Sequence, residues 1–108
     1  MFFKDKYGEN MTLENIELAT ENKKEIKVIA AKNDVSMKQL IVREAREILD
    51  NNSMVPSVNR EENRSCLIID IPKEFKEEIK TFCDFNEVRI RDFWVECVNR
   101  VIQEEENE

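Results

Sequence analysis

Apolar and polar residues along the chain follow two periods, and the elements are marked where one period gives way to the other. Leu13-Glu14-Asn15-Ile16-Glu17-Leu18 alternates, the pattern of a half-buried strand whose successive side chains point to opposite faces. After it Thr20 is suited to cap a helix in which Ile26, Ile29 and Ala30 share a face, and Asn33-Asp34 breaks that helix. Ser36 is a good N-cap for a second helix carrying Met37, Leu40, Ile41, Ala45, Ile48 and Leu49 at helical spacing. The same succession then returns. Cys66-Leu67-Ile68-Ile69-Asp70-Ile71 reads as a short, more continuously apolar strand, and Pro72 stands at a favoured first-turn position ahead of Phe75, Ile79, Phe82 and Cys83. Beyond the break at Asn86-Glu87, Ile90, Phe93, Trp94, Cys97, Val98, Val101 and Ile102 form a second long stripe, in which Trp94 is expected to be core. Residues 51–64, rich in Asn, Ser, Pro and charge, have little period and read as a linker.

A shift of 53 residues lays residues 13–50 on 66–103 without a gap. Ile16 falls on Ile69, Leu18 on Ile71, Glu25-Ile26-Lys27 on Glu78-Ile79-Lys80, Ala30 on Cys83, Val42 on Val95, and Ile48-Leu49 on Val101-Ile102. The apolar positions keep register throughout, which points to a duplication. The expected organisation is a single domain of two units, 12–50 and 65–103, joined by the linker 51–64 and followed by an acidic tail at 104–108. A unit of about 50 residues buries too little surface to be secure alone, so the two should share one core.

Charged residues make up 38% of the chain and the net charge is −7. Residues 1–50 hold 9 basic and 10 acidic side chains, whereas 51–108 hold 8 and 14. Much of the acidity thus falls in the second half, where Glu104, Glu105, Glu106 and Glu108 are expected to form a solvated, fraying end. One glycine and two prolines suit long amphipathic helices better than a turn-rich sheet. The three cysteines form no CxxC pair and the chain has no histidine, so no common zinc set or Cys-His nucleophile is available and no metal or cofactor is expected. Their apolar neighbours predict buried thiols in a reducing compartment. With no apolar run near the ~18 residues of a membrane span and a charged start at Met1-Phe2-Phe3-Lys4-Asp5-Lys6, the expected location is the cytoplasm.

Strand, helix, short turn and longer helix within about 40 residues resembles the ribbon-helix-helix family, the Arc and MetJ class of repressors. The resemblance leaves out only the first dozen residues, the linker and the tail. It implies a mainly α fold, a tandem ribbon-helix-helix in which one polypeptide supplies both strands of a two-stranded antiparallel ribbon packed on four helices, an intramolecular pseudo-dimer. It further implies that residues 13–18 pair antiparallel with 66–71 and that the ribbon's outer face enters the DNA major groove. With Ile16, Leu18, Leu67, Ile69 and Ile71 inward, the positions matching the family's base-reading face are Leu13, Asn15, Glu17, Cys66, Ile68 and Asp70. Asn15 suits adenine, Glu17 and Asp70 suit the cytosine amino group, and Leu13 and Ile68 suit a thymine methyl. No Arg or Lys is among these six. Ser36 and Lys38 at the start of one long helix, and Arg89 and Arg91 at the start of the other, match the family's phosphate-gripping position. Lys23, Lys24 and Lys27 are expected to form solvated ion pairs with Glu21 and Glu25.

Double-stranded DNA is therefore the expected partner, with possible higher association on it, and the expected role is a sequence-specific regulator: a transcriptional repressor or a plasmid- or phage-type DNA-organising protein. The alternative is an acidic protein-interaction module, an inhibitor, antirepressor or antitoxin-like partner, that keeps the fold without the DNA surface. Its partner would dock on the apolar ribbon face or on Phe2 and Phe3, which precede the first repeat. No enzyme is expected, since the carboxylates lie on solvated helix faces without histidine or a glycine-rich phosphate loop.

Overall fold

The computed structural model describes residues 10–59 and 62–107; Phe2, Phe3 and Glu108 lie outside them. Strand β1 (Met11–Ala19) runs directly into helix α1 (Thr20–Lys32), followed by α2 (Met37–Asn51); β2 (Arg64–Pro72) runs into α3 (Lys73–Asn86), followed by α4 (Ile90–Glu106). The two strands pair antiparallel with Leu13 opposite Asp70, Asn15 opposite Ile68 and Glu17 opposite Cys66. The fold is mainly helical, a two-stranded antiparallel sheet with four helices, and residues 13–18 meet 66–71, the pairing that the resemblance implies.

Each strand passes into its helix without a loop, which leaves the first helical N–H groups without an intrahelical acceptor. The residue just before the other strand supplies one: the Thr20 N–H donates to the Asn63 carbonyl at 2.9 Å and the Lys73 N–H to the Asn10 carbonyl at 2.8 Å. The longer helices begin differently. Ser36 forms a full capping box with Gln39, whereas Arg89 caps α4 with no side-chain hydrogen bond to the backbone. The single glycine, Gly8, is not in any described turn, so left-handed backbone falls on Asp34, Asn52 and Glu87, with φ of 56, 48 and 56°. Asp and Asn tolerate that region through their short polar side chains; Glu87 does so at some strain.

Inward side chains of both strands, Ile16, Leu18, Leu67, Ile69 and Ile71, are buried against all four helices in one core. Helix α4 is its centre: Phe93, Trp94, Cys97 and Val98 are all within 1% of full burial. The Phe93 and Trp94 rings meet edge to face at 5.3 Å, and Phe82 meets Phe93 likewise at 5.8 Å. Glu14 is the inward exception on β1. The residue is 8% exposed, and its carboxylate accepts from Trp94 Nε1 at 3.3 Å and faces Lys76 Nζ at 3.4 Å.

Several local expectations are corrected. Thr20 does not cap α1; Ala19 holds the cap position and the Thr20 hydroxyl meets Ser65 Oγ at 3.0 Å across the ribbon. The acidic end is not a fraying tail, because α4 runs to Glu106 and its carboxylates find cations on the first half: Lys32 Nζ sits 2.8 Å from Glu105 and Arg43 Nη2 3.1 Å from Glu104. The linker is pinned, with Val55 in the core and the Val58 carbonyl accepting from both Arg89 and Arg91. Cys83 and Cys97 are buried and burial pushes both thiols up, Cys83 to about 11, but Cys66 is exposed because its strand parity turns it outward.

Glu44, on the buried face of α2, is 1% exposed. Burial, and then the hydrogen bond and charge of Glu104, push its pKa from 4.5 up to about 7. A carboxyl whose folded pKa is raised lends stability that is complete below its unfolded value and lost as pH rises through its folded one. Stability is therefore expected to fall between pH 4.5 and about 7. Glu44→Gln, which keeps the shape and the hydrogen bond without the charge, should flatten that fall and be the more stable protein above pH 7, as read by urea unfolding across pH. An unchanged pH profile would show that Glu44 is ionised throughout. In the same assay Trp94→Ala should cost about 3–5 kcal/mol and Ile41→Ala about 2–5 kcal/mol, since each empties a fully enclosed volume.

Candidate nucleic-acid interface

Strand alternation puts Leu13, Asn15, Glu17, Cys66, Ile68 and Asp70 on the face of the ribbon away from the helices. Leu13 is 69% and Ile68 59% exposed, high values for large apolar side chains, and they are diagonal neighbours across the two strands. Asn15 and Ile68 form the central pair, and the acids lie toward opposite ends. The structure thus brings the six sequence-derived ribbon positions together as one surface.

Both acids are held by cations. Lys38 Nζ lies 2.9 Å from Asp70 Oδ1, and Arg64 Nε lies 3.2 Å from Glu17 Oε1. The Lys38 hydrogen bond holds the Asp70 carboxyl below the usual aspartate range. One phosphate candidate is therefore paired with one base-reading candidate, and the ribbon's outer face is closer to neutral than its side chains alone suggest. Lys23 adds a further cation, donating to the Cys66 carbonyl at 2.8 Å rather than pairing with a helix neighbour, while Lys24 stays near Glu21 at 4.0 Å.

The two helix starts flank opposite ends of the ribbon. At α2, Lys38 reaches Asp70 while the Ser36 oxygen accepts the Gln39 N–H at 3.0 Å. At α4, Arg91 lines a cavity of about 210 Å³ together with Glu17 and Arg64. Arg89 turns away toward the linker, its Nε 3.0 Å from the buried Asp92 carboxylate and its Nη2 3.2 Å from the Val58 carbonyl. Lys38 is thus close to the ribbon end, Ser36 is engaged in its own capping box, Arg91 is close but shares the Val58 carbonyl at 3.0 Å, and Arg89 serves the linker.

Sequence reasoning passed over Arg64 by placing it in the linker. The signal was present: Arg64 has the same strand parity as Cys66, Ile68 and Asp70, so two more residues of alternation put a guanidinium on the outer row. It also passed over the carboxyl cluster of Glu44, Glu47 and Glu104, whose oxygens lie within 4.8 Å of one another. Arg43 bridges Glu44 at 3.4 Å and Glu104 at 3.1 Å, so the group is a proton-sharing ionic network between α2 and α4. The i, i+4 spacing of Leu40, Glu44 and Ile48 on a buried stripe was its only trace in the sequence.

Replacing Lys38 by Ala should raise the Asp70 carboxyl toward its ordinary range, followed by carboxyl NMR titration; an unmoved Asp70 would mean the pair does not form in solution. The exposed pair should matter little to stability, on the order of 0–1 kcal/mol. Compared with family models, with curated proteins and with solved structures, the chain matches none.

Proposed function

We propose that the chain is a sequence-specific DNA-binding regulator, a repressor or DNA-organising protein of the cytoplasm, built as a tandem ribbon-helix-helix in which β1 and β2 form a ribbon that enters the major groove. The observation that carries this reading is the open outer row of the ribbon with a helix start at either end. A two-stranded ribbon fits that groove, and helix starts beside it reach the flanking phosphates. The pairing register supports the tandem arrangement. Its central pair, Asn15 and Ile68, is also a pair that the 53-residue offset makes equivalent, as a twofold through the ribbon requires.

In this reading Asn15 addresses adenine, Leu13 and Ile68 thymine methyls, and Glu17 and Asp70 cytosine amino groups. Lys38 and Arg64 exchange a carboxylate for a phosphate on binding. A second reading is favoured by the exposure of Leu13 and Ile68 and by the cations already held by protein groups: an acidic interaction module whose partner covers the ribbon.

Binding to genomic DNA fragments at graded salt separates the two. A regulator with three or four phosphate contacts should lose affinity with a log–log slope of about −3. Lys38→Ala should weaken all sequences alike and flatten that slope by about 1, whereas Asn15→Ala should relax sequence preference. Retention of no fragment at about 50 mM salt overturns the regulator reading; capture of a protein partner that Ile68→Asp abolishes would then support the other.

A further inference from the structure

The ribbon's two ends open onto matching grooves. The first, about 550 Å³, is lined by Lys38, Val42, Arg46, Ile71, Pro72 and Phe75. The second, about 210 Å³, is lined by Arg91, Val95, Asn99, Leu18, Ala19 and Asn22, each of which stands 53 positions from its counterpart in the first. The second groove is partly filled by the chain itself. Val58 and Asn59 of the segment leading into β2 line it, Arg91 Nη2 donates to the Val58 carbonyl at 3.0 Å, and Val55 of that segment is in the core. Among the described residues none leading into β1 lines the first groove.

Backbone entry is the same at both ends. The Asn10 carbonyl accepts from Lys73 as the Asn63 carbonyl accepts from Thr20, at 2.8 and 2.9 Å, and these residues again stand 53 apart. Asn10 therefore stands at the ribbon end beside the first groove as Asn63 stands at the end beside the second. The floors differ in size and chemistry: the Arg46 guanidinium lies 4.7 Å over the Phe75 ring in the first, where the second has Asn22 bonded to Asn99 at 3.3 Å. The wider, aromatic groove suits larger apolar side chains. Under the same offset Val55 and Pro56 correspond to Phe2 and Phe3.

We propose that the first groove is the docking site of the chain's own residues 1–9, with Phe2 and Phe3 against Val42 and Phe75. Nine residues reach about 30 Å when extended, ample to cross a groove at the ribbon end. The inference goes beyond DNA binding and does not depend on it.

The test uses methyl-labelled full-length chain. Nuclear Overhauser contacts are expected from the Phe2 or Phe3 ring protons to the Val42 methyls. Phe2→Ser with Phe3→Ser should erase them and shift the Val42 and Ile71 methyls, while Ile16 and Val98 methyls stay in place as the control for folding. Val42 and Ile71 resonances identical in both proteins overturn the proposal. So do contacts seen only between differently labelled molecules in a mixed sample, which would assign the groove to a second copy.

Discussion

The pairing of β1 with β2 is the constraint on which the rest of the molecule depends. A lone strand leaves a row of backbone donors and acceptors open, and a lone helical hairpin cannot cover its apolar side. Here each strand closes the other's ladder, the ladder continues into the first N–H of the following helix at both ends, and the joint inner face brings both hairpins onto one core. Because strand side chains alternate, a slip of one residue would send Ile16, Leu18, Ile69 and Ile71 to solvent, so burial and register enforce each other.

Buried polar groups distinguish the halves. Glu14 stands where the second half has Leu67, Glu44 where it has Cys97, and Asp92 where the first half has Gln39. Each buried acid has a specific partner: Trp94 and Lys76 for Glu14, Glu104 and Arg43 for Glu44, Arg89 for Asp92. A buried charge with no partner is strongly unfavourable, so Trp94 and Lys76 on Glu14 and Glu104 on Glu44 tie one unit to the other, while Arg89 holds Asp92 within its own unit. Two identical halves would have no such distinction between first and second.

Much of this was legible in the sequence, for a physical reason. Alternation and helical spacing report burial directly, so the strands, the four helices and the inward and outward ribbon residues follow from Leu13–Leu18, Cys66–Ile71 and the stripes after them. The polar partners did not follow, because a charged residue looks the same in a sequence whether water or another side chain solvates it. Glu104 and Glu105 read as tail, although Arg43 and Lys32, more than 60 residues away, draw them onto the body. Arg64 read as linker because charge near a proline-containing segment hides the strand parity it continues.

The placement of the strands has a consequence during synthesis. β1 leaves the ribosome before its partner β2, which is complete only at Pro72, more than 50 residues later, or about 3–10 s at ordinary elongation rates. Until then the first half exposes an open strand edge beside an uncovered apolar face. Nearby nascent chains of the same message present the same edge, and a β1 from one can meet a β2 from another with identical register. The tether of residues 52–63 favours the partner on its own chain by raising its local concentration. Shortening or stiffening that tether would shift the balance toward chains that exchange strands.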